Sequence, residues 1–246
     1  MNKLGIIGGT GLSTMANLEI VKREIVHTPY GEPSAPLAYG KLNNKEVIFL
    51  PRHGYGHTLP PHKINYRANI HALNEAGVTH IVAVAAVGGI RSDMDAKRIV
   101  VPDQIIDYTN GRVNTFFEDS LTHVVHIDFS YPYSEFVRNN LIAACQKLDI
   151  DVAVKATYAA TQGPRLETAA EIAKLEKDGC DIVGMTGMPE AALARELDLE
   201  YACLAVVANL AAGKSDEHLT MEMIEANLKE GMANTQKVLA EVIKTI

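Results

Sequence analysis

Seven consecutive apolar residues, Ile81 to Val87, run directly into Gly88-Gly89. A strand that is apolar without alternation has both faces covered, so it belongs near the centre of a sheet with helices on either side. The rest of the chain fits that arrangement. Lys3 to Gly8, Arg98 to Val101, Val152 to Thr161, Asp181 to Met185 and Tyr201 to Ala208 read as further strands. Leu37 to Leu42 and Lys45 to Leu50 read as a hairpin around the two-residue turn Asn43-Asn44. Helical spacing marks Tyr66 to Glu75, Tyr133 to Leu148, Glu167 to Lys177, Pro189 to Leu197 and Thr220 to Ile246. Strands alternating with helices predict an α/β layer structure. No linker or repeat divides it, so residues 1–246 are expected to form a single domain.

The composition narrows the function classes. The chain has 246 residues, 47% of them hydrophobic, and a formal charge of -7 with no Lys/Arg-rich run. That balance argues against a nucleic-acid partner, and an anionic ligand would need a local cationic pocket. The Ile81–Val87 run is too short to cross a membrane. The glycine-broken start Met1-Asn-Lys-Leu-Gly does not read as a signal peptide. Cys145, Cys180 and Cys203 are scattered in strand-like or helix-like segments and read as reduced core residues of a cytoplasmic protein.

Glycine clusters end the strands at 3–8 and 80–87, and a polar residue, Asn209, ends the strand at 201–208. Ligands of open α/β sheets bind at such strand ends. Gly8-Gly-Thr-Gly11 lets backbone N–H groups approach an anion, with Thr10 as a further donor. A tight turn is the plain alternative. The glycine spacing does not match the dinucleotide fingerprint, and the Lys-Ser/Thr of a P-loop is missing. Arg52 offers a planar fork of donors suited to phosphate, with His53 beside it. His53, His57 and His62 cluster, but no Cys or nearby carboxylate completes a metal site. Glu167 stands at a loop-to-helix junction, where a carboxylate either favours the helix N-terminus or grips a ligand. Asn209 either turns the chain or meets a ligand with donor and acceptor edges. The polar, aromatic stretch 109–132 has no periodicity and reads as a functional or interface loop.

Taken in order, Gly5-Ile-Ile-Gly-Gly-Thr-Gly-Leu12, Arg52-His-Gly…His57, Asn65-Tyr-Arg-Ala-Asn69, Gly163-Pro-Arg…Thr168 and Met185-Thr-Gly-Met-Pro-Glu190 resemble the trimeric purine nucleoside phosphorylases, most closely their methylthioadenosine phosphorylase branch. The resemblance spans nearly the whole chain. It implies a twisted mixed sheet flanked by helices and phosphate-dependent cleavage of a purine nucleoside. It also implies a homotrimer, and no cofactor or metal beyond phosphate as co-substrate. Carried over, Thr10, Arg52, His53, Ala86 (through its backbone N–H) and Thr186 would hold phosphate. Ala85 departs from the branch, which has Thr there, so one hydroxyl donor is missing. The ribose would lie near Met185. Met221 and Ile224 would surround the 5′ substituent, with His126 supplied by a neighbouring subunit. The nearest histidine to that end, His218, lies slightly upstream. The local surface is apolar and suits a methylthio group at about 0.8 kcal/mol per buried carbon.

The base site departs most. Adenine-selective relatives of this kind have Ser where Glu167 stands, and Asp residues at positions 209 and 211, here Asn209 and Ala211. Glu167 with Asn209 is the pair of 6-oxopurine phosphorylases. A 6-oxopurine presents N1–H to a carboxylate and O6 to an amide N–H, and Asn209 would steady N7–H as the base leaves. Adenine would face Glu167 lone pair to lone pair, and an unpaired buried polar group costs about 1–3 kcal/mol. Leu166 replaces the Phe that often stacks on the base. The expected substrate is S-methyl-5′-thioinosine, with Asn209, Glu167, Arg52 and His53 carrying the chemistry. The alternatives are methylthioadenosine or inosine and guanosine as substrates. From other classes, they are an NAD-binding oxidoreductase and a noncatalytic nucleoside binder.

Overall fold

The computed structural model describes residues 2–9, 18–118, 121–215 and 221–246. In chain order it contains β1 (Leu4–Gly8), β2 (Leu18–Glu24), β3 (Leu37–Leu42), β4 (Lys45–Pro51), α1 (Tyr66–Glu75), β5 (His80–Gly89), β6 (Ile99–Val100) and β7 (Gln104–Asp107). These are followed by α2 (Glu135–Lys147), β8 (Val152–Ala153), β9 (Thr157–Ala160), α3 (Ala169–Lys177), β10 (Ile182–Gly184), α4 (Gly187–Glu196), β11 (Glu200–Leu210) and α5 (Met221–Val242).

The all-apolar strand is the hub. β5 pairs in parallel with β11 along one edge, while its other edge is shared between β1 (parallel, His80 to Ala83) and β10 (antiparallel, Gly88 and Gly89). From this hub the mixed sheet runs outward as β2-β3-β4-β1-β5-β10-β9-β7, with β6 and β8 branching from β11. Alternate residues of the hub feed two cores. Ile81, Ala83, Ala85 and Val87 join Tyr201, Cys203, Ala205 and Val207 beneath α1 and α4. Val82, Val84, Ala202, Leu204 and Val206 pack with Val137, Leu141, Val238 and Leu239 of α2 and α5. Helices on both faces are the reason the run from Ile81 to Val87 carries no polar residue.

Local signals set the element ends. Asn43 and Asn44 both adopt positive φ (51° and 63°), as a two-residue hairpin turn requires. α1 starts where the Asn65 side chain accepts from Ala68 N, and the chain turns at Gly77 with φ +77°. All three cysteines are free and buried, and burial pushes the Cys203 thiol up to about 12. Among the described residues no helix is long and apolar enough to cross a membrane.

The structure departs from the sequence expectation in five places. The segment 152–161 is two short strands, β8 and β9, in different parts of the sheet: β8 pairs with β6 and β9 with β7 and β10. β2 and β7 were not expected. The helix expected from Glu167 begins at Ala169. Asn209 lies inside β11 rather than after it, beyond an irregularity in the pairing with β5 between Val207 and Asn209, where Asn227 Nδ2 on α5 donates to the Ala208 carbonyl at 3.0 Å.

Candidate active site

The parallel strands β4, β1, β5 and β11 release their carboxyl ends side by side. Gly8 pairs with Pro51, Ala86 with Val206 and Asn209 with Gly88. The strand-end glycines and Asn209 singled out in the sequence therefore share one edge of the sheet. On that edge the described ladders leave β5 unpaired between β1 and β10, from Val84 to Val87. Ala86 is exposed within an otherwise covered strand. Arg52 reaches the same opening: Nη1 donates to the Val84 carbonyl at 2.9 Å. N–H and C=O groups two residues apart on a strand point the same way, so the Ala86 N–H faces this opening too.

Arg52 is buried, and so is its partner, to which the sequence alone assigns no role. Nε and Nη2 donate to the two carboxylate oxygens of Glu190 on α4, at 2.7 and 2.8 Å. Tyr201 Oη donates to the same carboxylate at 2.8 Å. Burial opposes the guanidinium charge, but the Glu190 carboxylate outweighs it and raises the Arg52 pKa. Nη1 and Nη2 each keep a second N–H that is committed to neither Glu190 nor Val84.

His53 is held by Leu59. Its Nδ1 lies 2.8 Å from the Leu59 carbonyl, which can only accept, so Nδ1 carries the proton and the neutral ring presents Nε2 as an acceptor. Burial first, and the Arg52 charge second, hold this imidazole down at about 4. The His57 ring stacks on it at 4.4 Å between centroids. Among the described residues no group of three or more His, Cys, Asp or Glu side chains could hold a metal ion. Thr186 is buried at the N-cap position of α4, yet its side chain makes no capping hydrogen bond there. Thr10 lies outside the described residues.

Glu167 does not cap its helix. Thr168 and Glu171 form the capping box of α3. Glu167 is instead held from β9's end: Thr161 Oγ1 donates to Glu167 Oε1 at 2.7 Å. The capping hydrogen bonds of α3 are thus made by Thr168 and Glu171 and not by Glu167. Asn209 is half-buried, with Nδ2 donating to the Leu210 carbonyl at 2.7 Å. Leu166 is 51% exposed, so its side chain is available to a ligand rather than to the core. Met185 is half-buried against Gly163, whose φ is +60° and where an added Cβ would sit 2.5 Å from Met185 Sδ. Ile224 is half-buried on α5 and His126 is exposed in the irregular 109–132 segment. The side chain of Met221 and all of His218 lie outside the described residues.

The carboxyl ends of the parallel strands thus bring a buried Arg–carboxylate pair close to an exposed residue of the central strand. The chain belongs to the phosphorylase superfamily, whose family model matches residues 3–244. It is 55% identical to a probable S-methyl-5′-thioinosine phosphorylase of Pseudomonas syringae pv. tomato, over 99% of each chain. It is 44% identical to a 6-oxopurine nucleoside phosphorylase of Pyrococcus furiosus, over 98% of this chain and 92% of the relative. Among solved structures it is similar to the methylthioadenosine phosphorylase from Schistosoma mansoni in complex with adenine. The TM-score is 0.94 and the identity 34%, covering all of this chain and 92% of that one.

Proposed function

We propose that this phosphorylase cleaves S-methyl-5′-thioinosine, giving hypoxanthine and 5-methylthioribose 1-phosphate. The observation that carries the substrate reading is Glu167. It is relieved of capping by Thr168 and Glu171 and oriented by Thr161, so one carboxylate oxygen is positioned while the other remains to accept N1–H of a 6-oxopurine. The names of the relatives in the same group support the reading.

In the reaction an oxygen of monohydrogen phosphate bonds to C1′ as the C1′–N9 bond breaks; the electron pair of that bond passes to the purine, and the proton of the phosphate ends on N7 of the departing base. Asn209 steadies the base through O6 and N7–H, while Glu167 holds N1–H. Phosphate lies between Arg52, His53, the Ala86 N–H, Thr186 and Thr10. Catalysis rests on alignment of phosphate with C1′ and on stabilising charge on the departing purine. Met185 lies under the ribose, and Met221, Ile224 and His126 of a neighbouring subunit surround the methylthio end, which makes the working unit a cytoplasmic homotrimer. No cofactor or metal is required.

The test is release of free base from methylthioinosine, methylthioadenosine and inosine, each with and without phosphate. Phosphate-dependent release fastest from methylthioinosine is the expected result. Release from methylthioadenosine at least as fast would sink the 6-oxopurine assignment, and release fastest from inosine would sink the methylthio assignment.

A further inference from the structure

The segment between β7 and α2 sends one guanidinium among the loops at the carboxyl edge of the sheet. Arg112 Nε donates to Gln162 Oε1 at 3.1 Å, and Nη2 donates to the carbonyls of Gln162 (2.9 Å) and Thr161 (3.3 Å). Nη1 donates to the carbonyls of Met185 (2.9 Å) and Met188 (2.6 Å) and to Tyr66 Oη (3.1 Å). Its guanidinium carbon also lies 5.4 Å from the centroid of the Tyr66 ring. Every N–H of the guanidinium is committed, and four of its acceptors are main-chain carbonyls.

Those carbonyls belong to two segments with different duties. Residues 161–162 lead to Glu167, whose carboxylate Thr161 holds. Residues 185–188 carry Met185 and Thr186. The segments touch directly where Gly163 meets Met185, and Arg112 bridges them beside that contact. Bonds to main-chain oxygens set the position of backbone rather than the rotamer of one side chain. A lysine, with three donors on a single atom, could not span the same acceptors.

We propose that Arg112 is a positioning residue for phosphorolysis: its guanidinium sets the spacing between the segment that carries Glu167 and the segment that carries Thr186. This rests on the assignment of base and phosphate under Proposed function. Phosphate and the leaving nitrogen stand on opposite sides of C1′, so the spacing of the two segments is the alignment of the reaction. Misplacement by about 1 Å costs about 10²-fold in rate.

The test uses Arg112→Ala and Arg112→Lys in the full chain. It compares kcat and KM for base release with phosphate, base release without phosphate, and thermal midpoints, with and without millimolar guanidinium chloride. The expected result for both variants is a fall of about 10²-fold in phosphate-dependent kcat. KM changes far less, and guanidinium partly restores Arg112→Ala. Arg112→Lys with the wild-type kcat would overturn the proposal. So would a loss of release that tracks a fall in the thermal midpoint and does not respond to guanidinium. Wild-type release that ignores phosphate would overturn instead the assignment on which the proposal rests, and the proposal with it.

Discussion

Arg52 and Glu190 face each other through two parallel hydrogen bonds of 2.7 and 2.8 Å, with 3% and 0% of their side chains exposed. The pair is neutral as a unit, so the candidate phosphate site holds a cation already balanced by a carboxylate. Glu190 therefore fixes the fork of Arg52 and at the same time weakens its pull on an incoming anion. Glu190→Gln should leave a buried guanidinium uncompensated and destabilise the protein by about 3–5 kcal/mol. Inorganic phosphate should then raise the thermal midpoint of the variant more than that of the wild type. Equal phosphate-induced shifts in the two melts would show that the Arg52 charge does not face the anion.

His53 makes two pH statements. Its folded-state value of about 4 lies below the ordinary 6.5, so between those values the unfolded chain binds the extra proton and stability rises with pH. The contribution is fully present above about pH 6.5 and is lost as pH falls toward about 4. The groups facing the ring are Arg52 and His57 on its own loop and Glu190 on α4; Arg52 and His57 lower the value and Glu190 raises it. His53→Gln should flatten the unfolding free energy measured by denaturant titration across that window. A slope unchanged from wild type would assign the acid sensitivity to other groups.

The same tautomer bears on phosphate. With Nδ1–H spent on Leu59, Nε2 accepts, and a phosphate that still carries a proton can donate it there. Monohydrogen phosphate still carries one proton, so this contact survives the second ionisation of free phosphate, and His53→Ala, which offers no acceptor, should raise the phosphate KM on both sides of it. Initial-rate profiles of phosphate KM against pH for both proteins provide the check, and coincident profiles would remove His53 from the contact.

The proposed base site offers a test of specificity. Asn209→Asp replaces the amide donor by an acceptor and places a carboxylate beside the Leu210 carbonyl that Asn209 Nδ2 now reaches at 2.7 Å. The ratio of methylthioadenosine to methylthioinosine cleavage should increase by about 10-fold or more, since sites built on hydrogen-bond complementarity discriminate by up to about 10⁴. Competition assays with both nucleosides present measure the ratio directly. No gain for the 6-amino substrate would count against Asn209 as the reader of the 6-position.

Much of this arrangement is legible from residues with strong local signals. Ile81–Val87 announces a central strand because it is apolar on both faces, and Asn43-Asn44 announces a turn because asparagine tolerates the positive φ found there. β2 escapes because it is largely exposed and only Leu18 and Ile20 lean on the core, and β7 because it has only four residues. The segment 152–161 reads as one strand because periodicity does not register a change of partner. The chemistry of the site is harder. Glu190 resembles any acid in a first helical turn until Arg52, 138 residues away, is brought against it. Arg112 lies in a stretch without pattern, and its partners stand 46 to 76 residues distant. No window of sequence contains such a contact, whereas the helix start at Thr168–Glu171 is written in four adjacent residues.

Glu167 depends on one hydroxyl. Thr161 Oγ1 donates to Glu167 Oε1 at 2.7 Å and lies 3.3 Å from the Gly184 carbonyl, so this threonine ties the Glu167 carboxylate to the strand that leads into Met185 and Thr186. Thr161→Val keeps the shape and removes the donor. Loss of a hydrogen bond to a charged group costs about 1.5–3 kcal/mol, equivalent to roughly 10- to 150-fold in kcat/KM if the carboxylate must be held to receive N1–H. The loss should fall on methylthioinosine. Methylthioadenosine, which gains nothing from an ordered carboxylate at N1, should be cleaved about as well as before. Comparing kcat/KM for the two nucleosides in the variant decides the matter: an equal drop on both would mean that Thr161 supports the loop and not the carboxylate.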